Sequence, residues 1–458
     1  MAKQVDFENG RIGQNVVQTA VPMLVAQVLS LLYNVVDRIY IGRIPGEGTT
    51  ALGGVGLCFP FIMVITAFTN LYGIGGAPLC AMALGRGDKK QAEKILNVSF
   101  FLLAATACVL TILGLIFCRP LLYLLGASDT TIVYAEPYLR IYLYGTIASM
   151  AASGLNPFIN AQGFAGTGML AIFIGAAANI ILDPLFIFVF GWGVRGAAVA
   201  TVISQCLSAV FVLRFLHSGR SGLSLHGSYI RHAEWKTAAD ITGLGFAGFV
   251  MQITNSLVAV VCNHMLSMTG GDLYVSVYTI VSSVRQMMDV PVGAINDGAS
   301  PIMSYNYGAG RYDRIRKTVR ITTVWGIGYT CVMWLLIVLF PAAFILIFSS
   351  DSTILTTAVP ALHMYFFAFV FQALQYSGQT VFKSLNMKRQ AIFFSLFRKV
   401  IMVVPLTLLL PRIGGFGPLG VFMAEPVSNF IGGTFCFTTM MLTVYRRLGR
   451  TPPDSLHA

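Results

Sequence analysis

Two aspartates lie inside long apolar stretches, where a charged side chain is costly and therefore informative. Asp37 lies in LLYNVVDRIYIG and Asp183 in AAANIILDPLFIF. Asn179 precedes Asp183 by four residues, so both share one helix face, and Thr201 in GAAVATVIS adds a hydroxyl. If these segments converge, they offer two carboxylates, an amide oxygen and a hydroxyl. This all-oxygen set suits a hard cation such as Na⁺, and such buried charges usually line a protein or aqueous path.

The same four side chains offer a second chemistry, because two carboxyl groups close together in an apolar setting can share a proton. We therefore expect the set to bind either H⁺ or Na⁺. A purely structural hydrogen-bond network is a third interpretation, and the residue types leave all three open.

The chain that carries these residues is too apolar for a soluble protein. Hydrophobic residues make up 56% and charged residues 10% of the 458 residues, and the mean hydropathy is +0.75. Soluble domains carry roughly 25% charged residues. A net charge of +12 would suit nucleic-acid binding, but the apolar composition excludes that class. Positive charge is instead typical of cytoplasmic loops between membrane helices.

Apolar stretches of membrane-spanning length predict an all-α integral membrane protein. The twelve candidate spans are roughly 13–41, 51–84, 92–118, 132–156, 164–190, 195–217, 241–267, 275–305, 316–348, 355–381, 390–410 and 417–445. Lys and Arg concentrate in the segments on the same side as the N-terminus. We therefore expect a multi-pass protein of the inner, or cytoplasmic, cell membrane with both termini in the cytoplasm.

The two halves of the chain repeat residue types at a nearly constant offset. The matching pairs are Pro78/Pro301, Gly85/Gly308, Pro137/Pro360, Gly196/Gly420 and Ala200/Ala424. Six spans per half bring both copies into the membrane from one side, so the pseudo-twofold axis runs along the membrane normal. This predicts two six-helix lobes. They are an N-lobe of 1–217 and a C-lobe of 241–445, with a cytoplasmic linker of 218–240 and a basic cytoplasmic tail of 446–458.

The acid pair is absent from the second copy. Asn263 stands opposite Asp37 at a slightly shifted offset, and the counterpart of Asp183 falls near Leu406. A structural network would more readily occur in both copies. The asymmetry therefore favours an N-lobe that handles a coupling ion.

Other polar residues within the spans are candidates for a substrate cavity. They are Asn34, Asn156, Asn160, Asn263 and Asp289. Asn156 and Asn160 share a helix face, from which they can bind a substrate or a neighbouring helix. Arg285 and Asp289 have the i,i+4 spacing of a structural ion pair.

Helix shape and inner-surface charge give two further expectations. Pro22 lies midway in the first span, and its missing N–H makes either a bending point coupled to Asp37 or a static kink. Lys383, Arg398 and Lys399 have long side chains that we expect to snorkel toward the inner surface.

Several motifs together resemble the multidrug and toxic compound extrusion (MATE) transporters over nearly the whole chain. They are Pro22 with NVVDRIYIG, NIILDPLFIF followed by GAAVAT, and SYNYGAG. The match is closest to the DinF-like branch, whose cation-site positions fall on Asp37, Asn179, Asp183 and Thr201. The other bacterial branch also has acids in its seventh and tenth spans. Those spans contain no acid here, which argues against a C-lobe cation site.

The resemblance implies a secondary active multidrug efflux antiporter rather than an enzyme. It would export lipophilic, often cationic compounds in exchange for H⁺ or Na⁺, with no cofactor besides the coupling ion. The implied partners are a drug-like small molecule and the lipid bilayer, with no nucleic acid, and we expect a monomer. Alternating access would follow as the lobes rock about the repeat interface.

Three alternatives remain open. The first is a lipid-linked precursor flippase of the same superfamily, which would favour a strongly cationic cavity. The second is an intramembrane transferase, which would need catalytic residues in a surface loop. The third is a channel, which would need a continuous polar pore.

Overall fold

Every regular element in the described residues, 4–225, 235–413 and 415–448 of the computed structural model, is helical. The first half contains α1 (Ile12–Gly42), α2 (Gly48–Gly85), α3 (Lys89–Leu124), α4 (Ile132–Tyr144), α5 (Thr146–Ala161), α6 (Ala165–Pro184) and α7 (Gly193–His217). A π-helical turn, Leu185–Val189, follows α6. The middle of the predicted linker, 226–234, and the tail beyond residue 448 lie outside the described residues.

The second half begins with a long helix, α8. Its helices are α8 (Trp235–Gly308), α9 (Tyr312–Leu339), α10 (Pro341–Leu346), α11 (Ser352–Phe366), α12 (Phe369–Ser384), α13 (Lys388–Leu396), α14 (Val404–Leu409) and α15 (Pro418–Met440). α8 joins two helices across Gly271, whose backbone is non-helical (φ 67°, ψ −167°). An unbroken helix of 74 residues would be about 110 Å long, against about 30 Å of hydrocarbon. α8 therefore supplies two spans.

The helix lengths account for the twelve predicted spans. Nine described helices are long and apolar enough to cross a membrane, or ten when α11 and α12, bent by 43°, count as one span. Counting α8 twice adds one more span. The short helices α4 and α5, which meet at Gly145, together fill the twelfth. The all-α membrane class is confirmed.

Contacts divide the chain into two compact units. Unit 1 contains Met1–Asp6 and Val21–Gly245, and unit 2 contains Phe7–Ala20 and Phe246–Ala458. The start of α1 therefore belongs to unit 2, and the start of α8 belongs to unit 1. The predicted lobes 1–217 and 241–445 stay a prediction.

The start of α1 is fixed within unit 2 by hydrogen bonds and close packing. Thr19 Oγ1 donates to the Gly298 carbonyl at 2.8 Å, and Asn306 Nδ2 donates to the Phe7 carbonyl at 3.1 Å. A Cβ at Gly298 would lie 2.7 Å from the Ala20 nitrogen. Glycine is therefore needed for this approach of α8 to α1, a use of small residues that is common between membrane helices.

The start of α8 packs in unit 1 in the same way. A Cβ at Gly245 would collide with the Leu71 carbonyl of α2, and a Cβ at Gly75 would collide with the Ile241 carbonyl. Two glycines thus allow the α2 and α8 backbones to touch. Each unit is completed by a helix start that comes from the other half of the sequence.

The apolar core of unit 2 gathers side chains from α8, α11, α12 and α15. Val281, Phe369 and Phe422 are fully buried there. The rings of Tyr278 and Tyr365 meet the Phe422 ring edge-on at centroid distances of 6.1 and 6.5 Å. This packing fixes the helices that carry Arg285, Asp289 and Glu425.

Candidate functional site

Three of the four predicted cation ligands meet between α6 and α7 of unit 1. Asn179 Nδ2 donates to Asp183 Oδ1 at 3.1 Å, one turn along α6, and to Thr201 Oγ1 of α7 at 3.4 Å. Thr201 Oγ1 itself donates to the Ala197 carbonyl at 3.0 Å. Asp183 is 0% and Asn179 2% exposed. The sequence spacing of four residues therefore predicted the pairing on α6 correctly.

Asp37 of α1 brings the second carboxyl group to this site. The side chains of Asp37 and Asp183 lie within hydrogen-bonding range of each other. Asp37 Oδ1, Asp183 Oδ2 and Asn179 Oδ1 are buried and have no hydrogen-bond donor among the described residues. Two adjacent carboxyl groups can form a hydrogen bond only when one carries a proton. A cation bound to these oxygens would satisfy them equally.

The charge of this acid pair is not balanced by a protein ion pair within the described ranges. Arg38 is the basic neighbour of Asp37, but its guanidinium carbon lies 5.1 Å from the centre of the Phe59 ring. A buried charge without a partner is costly. The geometry therefore suits a mobile cation, either H⁺ or a hard metal ion with oxygen ligands.

The backbone of α6 changes its geometry directly after Asp183. Pro184 has no N–H to donate, and the π-helical turn Leu185–Val189 follows it. Such turns are frequent at functional sites because they redirect the side chains around them. A Cβ at Gly196 would lie 2.7 Å from the Phe186 carbonyl carbon. This close approach of α7 positions Thr201 beside Asn179.

Tyr138 on α4 is a site neighbour that the sequence analysis missed. It is 4% exposed and close enough to interact electrostatically with Asp37 and Asp183. Its ring stacks on that of Tyr142, one helical turn later, at 6.4 Å. The sequence signal was the pair of tyrosines four residues apart in YLRIYLY. Nothing in that spacing indicates which helix the rings face.

Asn156 and Asn160 do share a helix face. Asn160 Nδ2 donates to Asn156 Oδ1 at 3.3 Å, and Asn156 Nδ2 donates to the Gly168 carbonyl at 2.8 Å. Unit 2 repeats the second bond at the corresponding positions of the second copy, where Gln379 Nε2 donates to the Ala391 carbonyl at 3.3 Å. An amide that closes the turn between successive helices is therefore common to both copies.

Of the remaining candidates, Asn34 lies three residues before Asp37 on α1, and the others lie elsewhere in the chain. Asn34 on α1 is exposed and donates to the Ser30 carbonyl at 2.6 Å. Asn263 on α8 is exposed. Pro22 lies inside α1, which is assigned as helix throughout, next to the Ala20–Val21 passage between the units.

Unit 2 has neutral side chains at and next to the positions that correspond to the acid pair. Cys262 Sγ and Thr407 Oγ1 are 3.8 Å apart. Cys262 precedes Asn263, which the repeat aligns with Asp37. Thr407 follows Leu406, which the repeat aligns with Asp183. The same juxtaposition of helices therefore occurs in both units, but unit 2 holds a thiol and a hydroxyl there.

A basic cluster lies in unit 2 and consists of Arg285, Arg398 and Lys399 with Asp289 and Glu425. Glu425 Oε1 accepts hydrogen bonds from Arg398 Nη1 at 2.9 Å, Lys399 Nζ at 3.1 Å and Arg285 Nη2 at 3.2 Å. The expected ion pair of Arg285 with Asp289 is confirmed at 3.0 Å. The expectation that Arg398 and Lys399 snorkel to the inner surface is wrong. Glu425 attracts both side chains, which are only 12% and 13% exposed.

The match to a known family covers both copies of the repeat. A family model described as MatE matches residues 22–185 and 248–409. The chain belongs to the MatE family. Its assignment to the DinF-like branch stays a prediction.

Several MATE proteins are similar to this chain over nearly its full length. Multidrug export protein MepA of Staphylococcus haemolyticus (strain JCSC1435) is 23% identical over 450 residues, which cover 98% of this chain and 96% of that protein. MepA of Staphylococcus aureus (strain MRSA252) is 22% identical over 452 residues, which cover 98% and 97%. A solved structure described as the outward-facing conformation of a multidrug resistance MATE family transporter of the MOP superfamily is 22% identical. The structural match covers 98% of this chain and 100% of the solved chain, with a TM-score of 0.90.

These likenesses establish the class of protein. MATE proteins are transporters, so this chain is a transporter of the MATE family and not an enzyme. The twelve-helix, two-lobed fold class is confirmed. A membrane environment and small-molecule substrates follow from the family.

Proposed function

We propose that this MATE chain is an antiporter that exchanges a lipophilic, often cationic compound for H⁺ or Na⁺. The coupling ion binds at Asp37, Asn179, Asp183 and Thr201. The protein acts as a monomer in the cell membrane, with both termini in the cytoplasm. The energy comes from the ion gradient.

The observation that carries this proposal is the acid pair of unit 1, which forms no ion pair with the described residues. Asp37 and Asp183 are neighbours with buried oxygens that lack donors among the described residues. An external cation that neutralises them changes the energy of the unit by far more than an uncharged ligand could. Ion binding can therefore bias the transporter between its states, because a ligand shifts an equilibrium by its differential affinity for those states.

Gradient-driven ethidium transport in everted membrane vesicles tests the proposal. The wild type is expected to accumulate ethidium under an imposed H⁺ or Na⁺ gradient, and the gradient that works identifies the ion. Asp37→Asn and Asp183→Asn should reduce this accumulation to background at equal expression, because each removes a carboxylate that the ion must neutralise.

The matched control is Asp272→Asn, which removes an exposed carboxylate outside the site. It should retain wild-type accumulation. Wild-type accumulation in both the Asp37→Asn and Asp183→Asn variants would remove the proposed site. Transport that ignores both gradients would remove the antiport itself.

Pro22 is proposed as the bending point that responds to the ion. It lies beside the residues where α1 passes from unit 2 to unit 1, and its missing N–H leaves one carbonyl of the helix without a backbone donor. A solved MATE structure described as the bent conformation matches this chain with a TM-score of 0.91 and 22% identity. Pro22→Ala should slow ion-driven ethidium transport several-fold and leave ethidium binding intact. Unchanged transport would make the proline a static kink.

A lipid-linked precursor flippase is the second candidate, favoured by the buried cations of the basic cluster. Phosphate groups of such a precursor would bind these cationic side chains. However, Asp289 and Glu425 offset most of that charge. Movement of a fluorescent polyprenyl phosphate across proteoliposomes without a gradient would favour this candidate over export.

A further inference from the structure

Arg285 uses only part of its guanidinium. Its Nε donates to Asp289 at 3.0 Å, and its Nη2 donates to Glu425 at 3.2 Å and to Gln372 Oε1. Nη1 is buried and has no acceptor among the described residues. The side chain is only 7% exposed. A buried charged donor without an acceptor is destabilising, so its presence points to an acceptor from outside the protein.

A second unused donor belongs to the same network. Asn429 Oδ1 accepts from Arg398 Nη1 at 2.6 Å, and Arg398 also binds Glu425, which binds Arg285. Asn429 is 0% exposed, and its Nδ2 has no partner among the described side chains and backbone. Two free N–H groups in one network are suited to an acceptor-only ligand such as a carboxylate.

The charges of the basic cluster do not cancel. Three cationic side chains face two carboxylates, which leaves one positive charge over. Lys383 and Asp297 interact with each other and add no net charge. A buried charge in excess is stabilised by a counter-ion. One excess positive charge matches a carboxylate better than a phosphate monoester, whose charge at neutral pH is about −1.5 to −2.

The duplication places Glu425 of this cluster at the position of Thr201, a predicted cation ligand of unit 1. Glu425 follows Ala424 as Thr201 follows Ala200 in the matching pair, so the two occupy equivalent positions on α15 and α7. Asp289 is 25% exposed, so the cluster reaches the surface of unit 2. The Arg285 guanidinium carbon lies 5.6 Å from the ring centres of both Tyr365 and Phe369. These rings provide an aromatic border beside the free donor.

We propose that the basic cluster is a subsite for the carboxylate of a zwitterionic substrate, with Arg285 Nη1 as its donor. This inference rests on the proposed export of drug-like compounds and defines one substrate class. Compounds that carry a carboxylate as well as a cationic group would bind through it. A cation without a carboxylate would gain nothing from the cluster.

Two dyes that differ in one group test the subsite. Rhodamine 110 carries a free carboxylate, and rhodamine 123 is its methyl ester. Binding of each dye to the purified full-length protein is measured by fluorescence anisotropy. Arg285→Gln should weaken rhodamine 110 at least about tenfold, as expected for the loss of a hydrogen bond between charged groups. Rhodamine 123 should change less than about twofold. Equal losses for both dyes, or none, would overturn the proposal.

The matched control is Arg412→Gln, an exposed arginine outside the cluster, which should leave both dyes unchanged. Competition with benzoate is measured on the wild-type protein, so this second test of the subsite does not depend on whether a variant folds. Benzoate should displace rhodamine 110 and leave rhodamine 123 bound. Displacement of both dyes, or of neither, contradicts the subsite.

Export of rhodamine 123 separates this inference from the proposed function. If an ion gradient drives rhodamine 123 export but Arg285→Gln treats both dyes alike, only the subsite fails. If no gradient drives export of either dye, the proposed antiport fails, whatever the binding data show.

Discussion

The two units of this protein place helices at corresponding positions but treat buried acids in opposite ways. In unit 1, Asp37 and Asp183 lie side by side without an ion-pair partner in the described residues. In unit 2, Glu425 accepts hydrogen bonds from three basic side chains. One unit leaves negative charge to be neutralised from outside, and the other neutralises its own.

The difference indicates why only one unit would respond to an ion gradient. A carboxylate that already lies beside basic side chains of the protein gains little stabilisation from binding H⁺ or Na⁺. A carboxylate without an ion-pair partner is strongly stabilised by a cation, because burying its charge is costly until the cation binds. Duplication supplied two equivalent sets of helices, and the later choice of side chains at different positions on them gave the two units different electrostatic properties.

The largest effect is expected when unit 1 is given the unit 2 arrangement. Asn179→Lys places an ammonium group beside Asp183, which Asn179 now contacts at 3.1 Å. The attached cation should replace the mobile one, so gradient-driven ethidium transport falls to background. Size-exclusion chromatography checks that the variant is folded. Asn179→Leu, which adds no charge, should retain part of the transport. Full ion-driven transport in Asn179→Lys would break the comparison.

A large but smaller effect concerns stability. Glu425→Gln leaves three buried cations without their shared carboxylate, so it should lower the free energy of unfolding by about 3–5 kcal/mol. Asp183→Asn removes one of two repelling carboxylates and should stay within about 1 kcal/mol of the wild type. Thermal unfolding in detergent compares the two variants. Equal destabilisation would show that the acids have equivalent surroundings.

The smallest effect is expected where the units agree. Asn156→Ala and Gln379→Ala each remove the amide that donates across the following turn, to Gly168 and Ala391. Each should cost about 1–3 kcal/mol through a carbonyl left without that donor. The pair should match within about 1 kcal/mol in the same unfolding assay. A clearly larger loss for Asn156→Ala, together with weakened ethidium binding, would assign it to the substrate cavity instead.

The architecture was predictable because hydropathy and repetition act over long stretches. Twelve apolar runs and a repeat that relates the two halves identify a duplicated bundle before any contact is known. The breaks within the spans were not predictable in this way. The interruption at Gly145 and the 43° bend between α11 and α12 lie inside apolar runs, where hydropathy does not distinguish a straight helix from a broken one.

The side-chain contacts of the candidate site were predictable where residues share one helix and unpredictable where they face other helices. Asn179 and Asp183 are one turn apart, so helical geometry alone pairs them. The inward turn of Arg398 and Lys399 depends on Glu425, 27 and 26 residues away. Tyr138 likewise approaches the acids only through packing of α4. Long basic side chains can equally reach an interface or a buried acid, and the sequence does not decide between them.

The exchanged helix starts have a consequence for how such a molecule could arise and be taken apart. A single cut in the connection between α7 and α8 would not release unit 1 and unit 2. Each fragment would carry a stretch that completes the opposite body, Phe7–Ala20 in one fragment and the helix up to Gly245 in the other. An ancestor with one copy would have needed a second molecule and a reciprocal swap of these stretches, as in domain-swapped dimers. Gene fusion would then have placed both exchanged stretches within one polypeptide.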